Sequence, residues 1–225
     1  MYLCSHICIP MSAVASYIDY TILKIGTTTE QVDELCRQAL EQQYAAVCVP
    51  PYYVPDAAAM LEGSEVKVCT VVGFPHGMHL TQTKLIEGEQ LIQAGAQELD
   101  LVSNLSALRN QDHDFLKAEI GTFSELCRSH SVTSKVIIES GLLDFPELQI
   151  ISEICVQSGI DIVKTSTGFA GVGAELEKVA YLREILPSET GIKASGGIRD
   201  LETAQAFIQA GATRIGTSTL IVDPS

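Results

Sequence analysis

Eight short apolar runs alternate with seven longer amphipathic stretches along this chain, and that alternation restricts its fold more than any other feature. The runs lie at 17–19, 45–49, 66–72, 98–102, 135–139, 160–164, 191–194 and 214–216. Helical patterns lie between them at 29–42, 55–61, 81–94, 115–129, 146–157, 175–186 and 201–209. Several of these stretches end in a glycine just before the next run, at Gly95, Gly159 and Gly211, the residue type that closes a helix. Strict strand–helix alternation predicts a parallel sheet. Eight such units in 225 residues predict an α/β chain forming a closed (β/α)8 TIM barrel. An open doubly wound sheet would need a Gly-x-Gly-x-x-Gly turn after its first strand, and Tyr20-Thr21-Ile22-Leu23-Lys24 stands there instead. No Gly/Ser-rich linker divides the chain. One domain is expected over 1–225, with a short N-terminal extension over about 1–15.

Two of the runs end in lysine. Lys164 closes Ile162-Val163-Lys164 and is followed by Thr165-Ser166-Thr167-Gly168. Lys193 closes Ile192-Lys193 and is followed by Ala194-Ser195-Gly196-Gly197-Ile198-Arg199. The 29 residues between them are what one strand–helix–strand unit consumes, so both lysines should stand at equivalent ends of neighbouring strands. A lysine is a nucleophile only as the neutral amine, and burial beside a second cation favours that form. The plain alternative, two solvated surface lysines, fits poorly with apolar runs that turn into small and glycine residues.

Functional groups of such barrels sit at the C-terminal strand ends. That rule adds Asp19, Asp100 and Glu139 to the candidates. Asp100 suits an acid/base carboxylate paired with the lysines, or a carboxylate capping a loop; Asp19 and Glu139 suit supporting roles. Three small-residue loops follow runs six, seven and eight, at Thr167-Gly168, Ser195-Gly196-Gly197 and Gly216-Thr217-Ser218-Thr219. Glycines let backbone N–H groups close on an anion, and a following helix N-terminus adds its dipole. These loops are the expected phosphate site.

The net charge of −14 argues against nucleic acid or an anionic membrane surface as partner. No run approaches the ~18 apolar residues of a membrane span, and the N-terminus lacks the basic and apolar regions of a signal peptide. The seven cysteines are odd in number and contain no Cys-x-x-Cys, so they read as core thiols in a reducing, cytoplasmic setting. Cys4, His6 and Cys8 make a poor metal site near a chain end.

The lysine motifs Val163-Lys164-Thr165-Ser166-Thr167-Gly168-Phe169 and Lys193-Ala194-Ser195-Gly196-Gly197-Ile198-Arg199 closely resemble those of the deoxyribose-phosphate aldolases, which are class I aldolases. Ile18-Asp19-Tyr20-Thr21, Val47-Cys48-Val49, Val68-Cys69-Thr70-Val71-Val72-Gly73-Phe74-Pro75-His76-Gly77 and Glu98-Leu99-Asp100-Leu101-Val102 carry the similarity along nearly the whole chain. The resemblance implies a (β/α)8 barrel without metal or organic cofactor. It implies reversible cleavage of 2-deoxy-D-ribose 5-phosphate to D-glyceraldehyde 3-phosphate and acetaldehyde. It makes Lys164 the Schiff-base lysine, Lys193 the second lysine and Asp100 the acid/base carboxylate. It places Gly168, Gly196, Gly197, Arg199, Gly216 and Ser218 around the phosphate. The partner is then a small sugar phosphate, and members of the family are often homodimers. A Schiff-base aldolase with another donor, or a barrel that binds a phosphate metabolite without turnover, are the rival readings.

Four departures from the family pattern stand out. Tyr20 replaces a common His, Pro50 a common Asn, and Ser140-Gly141 a common Thr-Cys. The segment Ala170-Gly171-Val172-Gly173 is altered and lies beside the expected phosphate region. The chain stops at Ser225, and the longer tail with a terminal tyrosine found in some members is not expected to assist here.

Overall fold

A computed structural model describes residues 11–219 and 221. Eight parallel strands close on themselves in chain order: β1 (Ile18–Thr21), β2 (Ala46–Val49), β3 (Lys67–Val72), β4 (Glu98–Val102), β5 (Thr133–Ile137), β6 (Ile162–Lys164), β7 (Gly191–Ser195) and β8 (Arg214–Thr217). β8 pairs with β1, with Asp19 opposite Gly216, so the sheet has no edge. The helices are α1 (Met11–Ala15), α2 (Thr29–Gln42), α3 (Val54–Met60), α4 (Thr81–Gln93), α5 (Leu105–Arg109), α6 (His113–Ser129), α7 (Phe145–Gln157), α8 (Leu176–Ile185) and α9 (Leu201–Gln209). The barrel expected from the alternation is the fold observed. Among the described residues, no helix is long and apolar enough to cross a membrane. The Cys4, His6 and Cys8 group lies outside the described residues, as does most of the N-terminal extension.

Some boundaries differ from the expectation for local reasons. The stretch expected at 115–129 is one helix that begins two residues earlier, and a short helix not expected from the sequence precedes it. Asn104 accepts from the Ser106 and Ala107 N–H groups and starts α5, and Asp112 accepts from Phe115 N and starts α6. Gln111, with a φ of 57°, makes the sharp turn between them. β5 ends at Ile137, so Glu139 stands beyond the strand, in left-handed backbone with a φ of 50°.

The two-residue period of the strands sorts side chains into two cores. Outward residues such as Val47, Leu99, Leu101, Val136, Val163, Ile192 and Ile215 are buried against the helices. Inside the barrel the filling is uneven. Ala46, Cys48, Cys69 and Val71 make an apolar patch on the β2–β3 side. The rest of the interior holds buried charges from β1, β4, β5, β6 and β7, namely Asp19, Glu98, Asp100, Lys135, Lys164 and Lys193. A barrel interior is ordinarily layered with branched apolar side chains. Placing ionised groups there is tolerated only if each finds a partner, and the position of those partners defines the site.

Candidate active site

Lys164 and Lys193 are direct cross-strand partners on β6 and β7. Both Nζ atoms reach one carboxylate oxygen: Asp100 Oδ2 lies 2.7 Å from Lys164 and 2.9 Å from Lys193. The other oxygen, Oδ1, accepts from Lys135 Nζ at 2.9 Å. Lys135 also lies 2.6 Å from Glu98 Oε2, and Lys193 lies 2.5 Å from Asp19 Oδ2. Arg214, on β8, joins Asp19 to Glu98, donating through Nε at 2.6 Å and through Nη2 at 2.8 Å. Four basic side chains, Lys135, Lys164, Lys193 and Arg214, thus share the interior with three acidic ones, Asp19, Glu98 and Asp100. Loss of one proton from one lysine leaves the remaining charges balanced.

Burial would push the Asp100 carboxyl up, but Lys135, Lys164 and Lys193 together hold it well below the usual range. Burial likewise disfavours the Lys193 and Lys135 ammonium groups. Asp100 and Asp19 outweigh it at Lys193, and Asp100, with smaller contributions from Cys69 and Glu98, does so at Lys135. Both lysines are therefore held above the ordinary lysine range. Asp100, depressed below its reference value of 3.8, contributes stability that is complete above that value and is lost as acid protonates it. Lys193, raised above its reference of 10.5, contributes stability that is complete below that value and is lost only as base deprotonates it. The network's contribution to the denaturant midpoint is therefore expected to stay flat from about pH 5 to about pH 9 and to fall below about pH 4. A steady slope through neutral pH, in a chain with Lys193→Met and Asp19→Leu as the comparison, would show that the buried ions are not paired as described.

Of these groups only Lys164 lines the cavity at the barrel mouth. It is 3% exposed, and the cavity, at the C-terminal end of the barrel, is about 620 Å³. Asp100 and Lys193 are fully buried behind it. All six residues expected at the phosphate, Gly168, Gly196, Gly197, Arg199, Gly216 and Ser218, line the same cavity. Their parts differ. Gly168, Gly196 and Gly197 have φ of 84°, 90° and 86°. A β-carbon at Gly168 or Gly197 would enter open space, so both leave room above their backbone. A β-carbon at Gly216 would stand 2.8 Å from Ser195 Cβ and 3.3 Å from Lys193 Cε, so that glycine makes room for Ser195 first and for the buried lysine second. The helix dipole expected behind loop seven is already engaged: Asp200 caps α9 by accepting from Thr203 N at 2.7 Å.

Several supporting residues carry no sequence signal strong enough to find them. Lys135 and Arg214 begin or interrupt apolar runs but show their role only through register, with Asp100 opposite Lys135 and Lys193 opposite Arg214. Hydroxyls join the loops: Ser195 N donates to Thr165 Oγ1 at 3.0 Å, Ser195 Oγ to the Ser166 carbonyl at 2.7 Å, and Thr217 Oγ1 to the Ile198 carbonyl at 2.8 Å. Glu139 has the supporting position expected of it. Its carboxylate accepts from Thr167 Oγ1 at 2.6 Å and from Thr167 N at 3.1 Å, which fixes the bend before Gly168. Tyr20 lines the cavity and donates to Gln38 Oε1 at 2.9 Å.

Cys36, Cys48, Cys69, Cys127 and Cys155 are buried free thiols. Cys48 and Cys69 lie near enough to Asp100 to offer three ligand atoms within 4.8 Å of one another, and Asp19, Cys69 and Glu98 form a second such group. Lys135 already donates to both Cys69 Sγ, at 3.2 Å, and Asp100 Oδ1. A metal ion would have to displace that ammonium group, so the donor set fits a cation poorly.

A parallel barrel that offers one buried lysine to a glycine-lined cavity has the construction of a lysine-dependent aldolase. The sequence model of the DeoC/LacD family aldolases matches residues 13–221. The chain is 45% identical over 202 residues to the deoxyribose-phosphate aldolase of Brevibacillus brevis, covering 90% of both chains. It is 44% identical over 205 residues to the deoxyribose-phosphate aldolase of a Geobacillus species, covering 91% of this chain and 92% of the other. The tetrameric structure of deoxyribose phosphate aldolase from Aeropyrum pernix is 35% identical and superposes with a TM-score of 0.88, covering 94% of this chain and 89% of that one. The chain belongs to the DeoC/LacD aldolase family.

Proposed function

We propose that this aldolase reversibly cleaves 2-deoxy-D-ribose 5-phosphate to D-glyceraldehyde 3-phosphate and acetaldehyde through a Schiff base on Lys164. The observation that carries the reading is that Lys164, alone among the interior lysines, lines the cavity that the glycine loops also line.

The neutral Lys164 amine adds to the C1 carbonyl of the open-chain sugar, and loss of water gives the protonated imine. Asp100, working through a water because Lys164 stands between it and the cavity, takes the C3 hydroxyl proton. The C2–C3 bond breaks, its electrons pass to the iminium, and glyceraldehyde 3-phosphate leaves an enamine on Lys164. Protonation of the enamine at C2 and addition of water to the imine release acetaldehyde and restore the amine. Covalent catalysis divides one difficult bond cleavage into easier steps. Lys193 is a fixed cation beside Asp100 throughout. These steps use side chains and water only, so no metal or organic cofactor belongs to the reading. The phosphate is taken by the Gly168, Gly196, Gly197 and Ser218 region with Arg199. We assign residues 1–225 to one barrel unit, place it in the cytoplasm and infer a homodimer, which light scattering tests.

The deciding experiment is borohydride reduction in the presence of acetaldehyde, followed by peptide mass analysis. One ethyl group on Lys164 is expected. Substrate choice tests the phosphate loops. Gly197→Ala adds a methyl above that residue and strains its left-handed backbone at a φ of 86°, and is expected to lower kcat/KM for 2-deoxyribose 5-phosphate by about tenfold or more. The slow reaction of free 2-deoxyribose should change less. A ratio between the two sugars that stays constant would place the phosphate elsewhere.

A further inference from the structure

Two of the departures noted in the sequence, Gly141 and Val172, touch each other. The turn Ser140–Leu142 follows β5 and is held from two sides. Ser140 N donates to the Thr165 carbonyl at 2.7 Å, and Lys178 Nζ donates to the Ser140 carbonyl at 2.9 Å. A β-carbon on Gly141 would stand 2.5 Å from Val172 Cγ1 and 2.8 Å from Val172 Cβ. Gly141 is not in left-handed backbone, so space alone keeps a side chain from this position. The valine fills what a side chain at 141 would otherwise occupy.

The neighbour of Val172 reaches the cavity wall. A β-carbon on Gly173 would overlap the Gly196 carbonyl, and Ala174 N donates to that same oxygen at 3.1 Å. A β-carbon on Gly196 would in turn fall 2.9 Å from Gly173 Cα. Gly196 lines the cavity; Gly141 and Val172 do not. Val172 is itself 38% exposed, so the link with no room to give is the backbone approach of Gly173 to Gly196, where close packing transmits displacement. The chain of contact therefore runs from the turn after β5, through Val172 and Gly173, to the loop after β7.

We propose that Val172, seated on Gly141, is a positioning residue for phosphate recognition: it sets how closely segment 169–174 presses on Gly196, and so where the Gly196 and Gly197 N–H groups stand. This inference rests on the assignment of those glycines to the substrate phosphate. It divides the labour of the site, with Lys164 and Asp100 acting on the carbon skeleton and the 141–172 contact acting on the phosphate end alone.

The test is a double-mutant cycle of Gly141→Ala, Val172→Gly and their combination, assayed on 2-deoxyribose 5-phosphate and on free 2-deoxyribose, with thermal midpoints measured alongside. Gly141→Ala forces the valine away, and Val172→Gly removes its seat. Each single change is expected to raise KM for the phosphorylated sugar by about tenfold with kcat within about twofold, and to leave the free sugar unaffected. In the combination, the alanine methyl takes the place of the lost valine carbons, and KM should fall below that of Gly141→Ala alone. An unchanged KM in Val172→Gly overturns the proposal, and that variant alone decides if Gly141→Ala does not fold. A combined KM equal to the product of the single effects overturns it as well. A wild-type chain that cleaves neither sugar overturns the aldolase reading instead, before any variant is considered.

Discussion

Lys164→Arg is expected to lose the borohydride-trapped adduct completely and to lower aldol cleavage by on the order of 10⁴- to 10⁶-fold, the scale of removing a covalent nucleophile. The substitution keeps a positive charge beside Asp100, so the ion-pair network retains its count of cations. It removes the chemistry, because a guanidinium is effectively never a neutral amine. Lys164→Ala serves as the companion, since arginine is the bulkier group in a wall where Lys164 is 3% exposed. The same loss in both variants, with retained circular dichroism, assigns the adduct to this residue. A reducible adduct that persists in Lys164→Arg would move the nucleophile to Lys193 or Lys135. Neither lines the cavity, and both are held in the ammonium form by Asp100.

The fold was legible because its signal is repeated. Eight apolar runs at unit spacing leave few alternatives, and the glycines at 95, 159 and 211 mark three helix ends, each with a positive φ. The buried charges of the candidate site were legible for a related reason: Lys164, Lys193 and Asp100 are charges set into apolar runs. What remained hidden depends on register and closure. That Lys135 also reaches Asp100, or that Arg214 spans from Asp19 to Glu98, follows from how the barrel staggers its strands. A one-residue change of register would turn every one of these side chains to the helical layer.

Position in the loops was harder still. Gly216 looked like an anion-binding glycine beside Gly196 and Gly197, and only the packing of Ser195 and Lys193 against it reveals what its missing side chain allows. Asp200 follows Arg199 directly, yet its side chain already caps the start of α9, the helix end that the loop was expected to offer an anion. Gly141 and Val172 are 31 residues apart and read as two unrelated departures until the turn after β5 and the segment after β6 are seen to share one space.

Asp100→Asn is expected to separate imine formation from carbon–carbon cleavage. Asp100 joins three lysines, and its Oδ2 alone serves Lys164 and Lys193. An amide in its place leaves buried cations short of one counter-charge, and breaking a buried pair by losing one partner costs about 3–5 kcal/mol. A lowered denaturant midpoint is therefore part of the expected result. The kinetic effect is distinct from it. Asparagine cannot take up the C3 hydroxyl proton, so cleavage of 2-deoxyribose 5-phosphate should fall by about 10²- to 10⁴-fold, the range for loss of a general base. Acetaldehyde should still be trapped on Lys164 by borohydride in the folded variant, because carbinolamine formation needs the amine and not the base that breaks the C2–C3 bond. Adding Lys193→Met to Asp100→Asn removes the surplus cation. It should recover part of the stability and none of the cleavage, which separates a loss of fold from a loss of chemistry. If the folded Asp100→Asn chain cleaves the sugar phosphate at the wild-type rate, the proton leaves by another route and Asp100 is no more than the counter-charge of the three lysines.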